Sequence, residues 1–238
     1  MEAFFNGCSY TWGDELDHPF TERFSKLISD DLQLPEKNLS LCGASNDRIF
    51  RTTMDYISSG NRPKFAIIVW SGIDRIELFD NYVKDVHDNI FLQLSPFRIN
   101  ATEYRKFTQA MKSFYVDAWS DGMALTKTLT YMIACQEIFR ALNIPYLQYQ
   151  YNDLFRIVFN EKDSKENSRI KAYMDERYSL LTPESKIGLS DEDDLLSIAV
   201  KNGDNNPRLS RHPTKSSHQL YRDHMLQKLN HHYDIRIQ

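Results

Sequence analysis

Six consecutive apolar residues, Phe65-Ala66-Ile67-Ile68-Val69-Trp70, constrain this chain more than any other segment. A strand with one wet face alternates apolar and polar residues. A run that is apolar throughout suits a strand covered on both faces, as in a parallel sheet between two helical layers. It is far too short to cross a membrane, and Gly72 follows it closely. Other short segments share this punctuation. Ala3-Phe4-Phe5-Asn6 is β-prone and stops at Gly7, and Asn38 to Leu41 is closed by Gly43. Ile144 to Tyr149 reads as a fourth strand, with Pro145 tolerable at its start. Between the strands lie helical patterns. Phe20, Phe24, Leu27, Ile28 and Leu32 recur at helical spacing, and Ile49, Thr53, Tyr56 and Ile57 share one face of a helix starting near Asn46. Thr102 to Leu142 reads as two helices broken near Asp121-Gly122, and Thr214 to His231 as a last helix with Thr214 or Ser216 as N-cap.

Strand–helix alternation implies parallel pairing with right-handed crossovers, hence an α/β fold: a three-layer α/β/α sandwich around a central parallel sheet. Residues 1–238 read as one domain, with no internal repeat or low-complexity linker. Charges, Asn and Ser accumulate over 151–207, which reads as a variable, partly helical insertion; its Asp191-Glu192-Asp193-Asp194 run suits a solvated surface. With 29 Lys+Arg against 33 Asp+Glu the net charge is −4, which argues against nucleic-acid binding by bulk charge. No basic-then-apolar leader opens the sequence. Cys8, Cys42 and Cys135 cannot all pair and lack CxxC spacing, so reduced thiols and a cytoplasmic location are expected, with no membrane partner.

Ligands of such sheets collect where the strands' carboxyl ends open onto loops. Four of the eight glycines, Gly7, Gly13, Gly43 and Gly72, fall in or beside those predicted loops. The first loop reads Gly7-Cys8-Ser9-Tyr10-Thr11-Trp12-Gly13. A serine there can expose its hydroxyl at the sheet edge, although an isolated GxS is more often a turn serine or helix cap. The second strand ends in Leu41-Cys42-Gly43-Ala44-Ser45-Asn46-Asp47-Arg48, where Gly43 offers an unhindered N–H and Asn46 a side-chain donor. Near the C-terminus, Arg211-His212-Pro213-Thr214-Lys215-Ser216-Ser217-His218 could return an imidazole to the Ser9 turn as its general base.

Taken together and in this order, these segments resemble the SGNH/GDSL hydrolase family, nearest to the SGNH-like proteins of tailed bacteriophages. The resemblance covers residues 3–77 and about 205–225. The first block is similar to GDSxTxG with Cys8 in place of aspartate, and it implies Ser9 as nucleophile. Gly43 matches the glycine of the second block, an oxyanion donor together with the Ser9 N–H. His212-Pro213, with His218 six residues on and Ser217 in place of a glycine, resembles the last block. The phage-type likeness rests on GCSYTWG, GASNDRI and Trp70, Ser71, Arg75 and Glu77. The resemblance implies an SGNH, flavodoxin-like fold and ester hydrolysis through an acyl-serine. Its substrate would be a small acyl ester such as an O-acetylated carbohydrate, and no metal or organic cofactor would be needed.

Two positions depart from the family pattern. Ile73 stands where GxND has its asparagine, and Leu209 where DxxH has its aspartate. Losing an oxyanion donor costs about 10²–10³ in rate, and losing the acid of a triad about 10⁴. Asn46 is the expected stand-in for the missing donor; Asp204, Asp74, Glu77 or a backbone carbonyl could replace the acid. Arg48, Asp74, Arg75 and Glu77 either bind substrate or brace the cleft. Five of the seven histidines lie between His212 and His232, at spacings of six, six, seven and one, which gives no i, i+4 ligand pair. The aromatic residues Tyr146, Tyr149, Tyr151, Phe155 and Phe159 either stack sugars or pack the core. The alternative to an enzyme is a weak or inactive SGNH-like binding or structural protein, held to a protein partner through 151–207. If phage-encoded, it would belong to the host cytoplasm or the virion.

Overall fold

The computed structural model describes residues 1–79, 91–95, 108–152, 165–189, 193–204, 206 and 212–237. Among the positions singled out above, Thr102, Phe155, Phe159, Asp191, Glu192, Leu209 and Arg211 lie outside the described residues.

The apolar runs form the centre. β1 (Ala3–Asn6) and β3 (Phe65–Trp70) are buried at every residue. They pair in parallel, Asn6 opposite Ile68, with β2 (Glu36–Asn38) beyond β1 and β6 (Tyr146–Gln150) beyond β3. The sheet order is therefore β2-β1-β3-β6, all parallel. Past β6 a parallel bridge from Tyr149 to Ile187 adds one further pairing. Helix α3 (Phe24–Asp31) packs with α9 (Lys215–Tyr233), and α4 (Asn46–Ser58) with α6 (Asp121–Ala141), giving the flanking layers of an α/β/α sandwich.

Several elements differ from expectation. The segment read as one helix from Phe20 splits into α2 (Pro19–Glu22) and α3, because Arg23 between them adopts extended backbone. Its guanidinium pairs with Glu36 through Nε at 3.0 Å and Nη2 at 2.7 Å, and lies over Trp12 and Phe20. The second strand sits two residues early. The Leu39 and Leu41 N–H groups still donate to Phe5 and Gly7 carbonyls, so the expected segment tracks β1 without forming regular ladder. An antiparallel hairpin, β4 (Ile76–Phe79) with β5 (Phe91–Leu94), was not expected. In the 108–141 stretch the break falls at Trp119-Ser120, between a short helix α5 (Thr108–Ser113) with its π-turn (Phe114–Ala118) and α6. Within 151–207 the structure has α7 (Lys165–Ser179), a 3-10 turn (Pro183–Ser185) and α8 (Leu195–Lys201). No helix of the described residues is long and apolar enough to cross a membrane.

Candidate active site

In a sheet ordered this way the chain leaves β1 toward one side and later crosses to the other, so a crevice opens between the carboxyl ends of β1 and β3. Asn6 fixes the β1 side of it. Its amide nitrogen is shared among Ile49 O and the Thr52 and Thr53 hydroxyls at 2.8–3.0 Å, while its Oδ1 accepts the Gly7 N–H at 2.9 Å. Gly7 has to be a glycine here. A Cβ would lie 2.2 Å from Thr11 Oγ1 and 3.0 Å from Val69 O. The chain then turns into α1 (Ser9–Trp12), ended by Gly13 in the left-handed region at φ 85°. Thr11 and Trp12 donate to Cys8 O, which leaves the Ser9 and Tyr10 N–H groups without partners inside so short a helix. Ser9 is 5 % exposed, and its hydroxyl has no hydrogen-bond partner among the described residues.

His212 comes to this turn from the other end of the sequence. Its backbone N–H donates to Glu15 Oε2 at 3.2 Å. Its Nδ1 lies 3.4 Å from Glu15 Oε1, without aligned hydrogen-bond geometry, and its Nε2 lies 3.6 Å from Asp14 Oδ2. The imidazole meets the Tyr10 ring edge-on at 5.9 Å. Tyr10 in turn meets Tyr151, just past β6, at 5.3 Å. The acids at the imidazole are thus Asp14 and Glu15, which the sequence reading missed. Their one signal was an acidic pair directly after the Ser9 turn. Glu15 is a non-glycine at φ 65°, a backbone state that costs on the order of 1 kcal/mol or more and that clusters at functional sites.

Two of the expected replacements for the acid, Asp204 and Glu77, are engaged elsewhere. Asp204 accepts from Thr214 N and Oγ1 at 2.8 Å and from the Ser217 hydroxyl, tying down the start of α9. Burial pushes its carboxyl up, but these hydrogen bonds outweigh burial and hold it below the usual range. Glu77 forms a two-pronged pair with Arg51, at 2.8 Å for each contact, and accepts from Gln93, so it clamps the hairpin to α4. Arg48 donates to Leu39 O and Arg75 to Ser71 Oγ, both bracing contacts. Asn46 was expected to serve the oxyanion. Its amide instead donates to Ser71 O at 3.1 Å and Thr128 Oγ1 at 3.0 Å while accepting Ser71 N–H, so both protons are spent holding α4 to β3 and α6. Gly43 lies in the turn before α4 at φ 79°, and no backbone hydrogen bond among the described residues uses its N–H. The expected Thr214 N-cap makes no side-chain cap bond. Tyr146 and Tyr149 are core residues at 3 % and 0 % exposure. The histidines disperse: His218 is buried between Phe24 and Tyr221, His224 faces Asp193, and His232 faces Glu184.

The sequence matches the pattern of a family of unknown function, DUF6071, over residues 22–237. This chain belongs to the DUF6071 family. No curated protein matches this DUF6071 chain by sequence. Among solved structures it is similar to the psychrotrophic esterase EstA from Pseudoalteromonas sp., at 14 % identity and TM-score 0.50, covering 97 % of this chain and 98 % of that one. It is also similar to a member of the lipolytic protein G-D-S-L family from Veillonella parvula, at 13 % identity and TM-score 0.47, covering 98 % of each chain. An acetyl xylan esterase, AlAXEase, matches at 13 % identity and TM-score 0.47, covering 96 % of this chain and all of that one. At such identity the likeness to EstA is one of fold, and it agrees with the parallel, helix-flanked sheet of this DUF6071 member.

Proposed function

We propose that this protein is a serine esterase in which Ser9 is the nucleophile and His212 the general base. The observation that carries the reading is the meeting of the two chain ends: His212 seated on the turn of Ser9, with Glu15 against both its backbone N–H and its Nδ1. Glu15 then serves as the orienting acid that the DxxH position lacks. It favours the proton on Nδ1 and leaves Nε2 to take the proton of Ser9. For attack, Nε2 exchanges its 3.6 Å approach to Asp14 for the Ser9 hydroxyl, an adjustment common where catalytic contacts tighten only on substrate. The Ser9 Oγ–carbon bond forms, the oxyanion accepts from the Ser9 and Gly43 N–H groups, and His212 returns the proton to the leaving alcohol. Water then releases the acid by the same steps in reverse. The substrate class is a small acyl ester, with an O-acetylated carbohydrate as the specific reading.

The test is p-nitrophenyl acetate turnover by the wild type and by S9A, together with mass-spectrometric location of a fluorophosphonate adduct. The expected result is a loss of about 10³-fold or more in S9A and an adduct on Ser9; equal rates would end the reading. Acetate release from an O-acetylated oligosaccharide tests the narrower substrate. One observation favours the binding or structural alternative, including a virion role: Ser9 is only 5 % exposed. An unlabelled Ser9 with no turnover would select it.

A further inference from the structure

The turn that carries Gly43 is tied to a segment distant in sequence, the β4–β5 hairpin. This turn leaves the sheet beside that of Ser9, because the Leu41 N–H donates to Gly7 O at 3.2 Å, two residues ahead of Gly43 on one strand and of Ser9 on the other. Its backbone is held from several sides. The Ala44 N–H donates back to Leu41 O at 3.0 Å, and Ala44 O accepts from Arg75 at 3.4 Å. Ser45 caps α4, its hydroxyl accepting the Arg48 N–H at 3.2 Å, and is fully buried. The Ser45 N–H is one of the donors a helix start leaves orphaned. In a capping box the residue at the Arg48 position would be a Glu or Gln reaching back to accept it. Arginine has no acceptor, and the Ser45 N–H donates instead to Gln93 Oε1 of the hairpin at 2.9 Å. Resting on the esterase reading, we propose that Gln93 is a positioning residue: by accepting the Ser45 N–H it fixes the turn from which the Gly43 N–H meets the oxyanion.

Glu77 settles which end of the Gln93 amide faces the turn. A carboxylate only accepts, so Nε2 is the atom 2.7 Å from Glu77 Oε1, and Oε1 is left for Ser45. Glu77 is itself fixed. It is 5 % exposed, meets Arg51 of α4 through two contacts of 2.8 Å, and sends its backbone N–H to Asp47 Oδ2 at 3.1 Å. From α4 through Glu77 to Gln93 and back to Ser45, the contacts close a ring around the head of the helix. A cap taken from the next turn would order little chain, whereas this acceptor comes from 48 positions away and costs more loop entropy. The oxyanion hole gives that reach a purpose. A preorganised donor stabilises the developing charge only where it is already in place, and a misplacement of about 1 Å can cost about 10²-fold in rate. Gly43, at φ 79°, has no side chain to anchor it, so its N–H is aimed by the residues on either side. Leu41 is held by β1 and Ser45 by Gln93.

Two variants separate positioning from mere clamping of the hairpin. Q93K has donors and no acceptor, so it keeps a partner for Glu77 and abandons the Ser45 N–H. Q93E is the converse: it keeps the acceptor and sets a like charge against Glu77. The experiment measures kcat and KM on p-nitrophenyl acetate, per serine titrated to completion with the fluorophosphonate, together with urea midpoints. Q93K should hold its midpoint and lose about 10²-fold in kcat, with KM unchanged because the oxyanion exists only beyond the ground state. Q93E should have the lower midpoint and recover most of kcat. Counting labelled serines removes the unfolded fraction from both rates, and Q93K decides the matter even if Q93E does not fold. A wild-type kcat in Q93K, or a loss that follows the midpoint and falls on Q93E instead, would overturn the positioning role alone. No hydrolysis and no labelled Ser9 in the wild type would overturn the esterase reading and the positioning role together.

Discussion

His218 should make this fold acid-labile, and the size of the effect follows from its surroundings. The ring is fully buried, stacked on Phe24 at 5.8 Å and edge-on to Tyr221. Its Nδ1 accepts the Phe24 N–H at 3.2 Å, which caps α3 from a residue 194 positions away. That bond fixes the proton on Nε2, and a second proton on Nδ1 would set N–H against N–H. Burial pushes the imidazole from 6.5 down to about 3. With the folded value depressed, the unfolded chain takes up the proton first as pH falls. The stability is therefore complete above about 6.5 and drains away toward about 3. At about 1.4 kcal/mol per pH unit, the loss is about 1.4 kcal/mol by pH 5.5 and about 3 kcal/mol by pH 4.5. His218→Leu removes this titration but strands the buried Phe24 N–H, a cost of about 1–3 kcal/mol at pH 7. The variant should thus be the weaker protein at neutral pH and the equal or stronger one at pH 4.5, with the curves crossing near pH 5. Urea midpoints of both proteins from pH 7 to 4.5 measure this, since the carboxylates they share cancel in the difference. A constant gap across that range would refute the argument.

Three further outcomes are expected. E15Q should lower kcat by up to about 10⁴-fold by losing the orienting charge, whereas D14N should not lower it; steady-state kinetics on p-nitrophenyl acetate separates them, and the reverse order would reassign the acid. Gly7→Ala should cost about 1–3 kcal/mol in denaturation and should abolish Ser9 labelling by fluorophosphonate, because its Cβ meets both Thr11 and Val69 O. Glu36→Ala should cost about 3–5 kcal/mol by leaving the Arg23 charge buried; a loss under about 1 kcal/mol would mean that the Trp12 and Phe20 faces suffice for that cation.

The parts of the fold legible in the sequence are those whose causes are local. β3 is a single apolar run, and α4 announces itself through Ile49, Thr53, Tyr56 and Ile57 at helical spacing from near Asn46. β2 was misplaced because an edge strand is set by pairing. Glu36 takes the ladder position opposite Ala3 while its carboxylate holds Arg23, and the apolar Leu39 and Leu41 follow outside the regular ladder. The hairpin depends on Arg51, Glu77 and Gln93 meeting across distant segments, which no periodicity records. At the candidate site, Ser9, Gly43 and His212 were singled out as motifs, and the structure brings His212 to the Ser9 turn. The acids at His212 were not, since Asp14 and Glu15 reach it from the opposite end of the chain. Nor was the fate of Asn46, whose place at the first turn of α4 looked available until Ser71 and Thr128 claimed its amide.

Two histidines of the C-terminal segment hydrogen-bond to the N-terminal part of the molecule across long separations, His212 to Glu15 over 197 positions and His218 to Phe24 over 194. Closing loops of that length is among the last things a folding polypeptide does, because the entropy must be surrendered before any contact rewards it. On the esterase reading proposed above, a ribosome-bound chain lacking this segment would possess its central sheet and still have no base for Ser9. Reactivity would then arrive with the final docking step, which makes phosphonate labelling a clock for when this protein becomes finished.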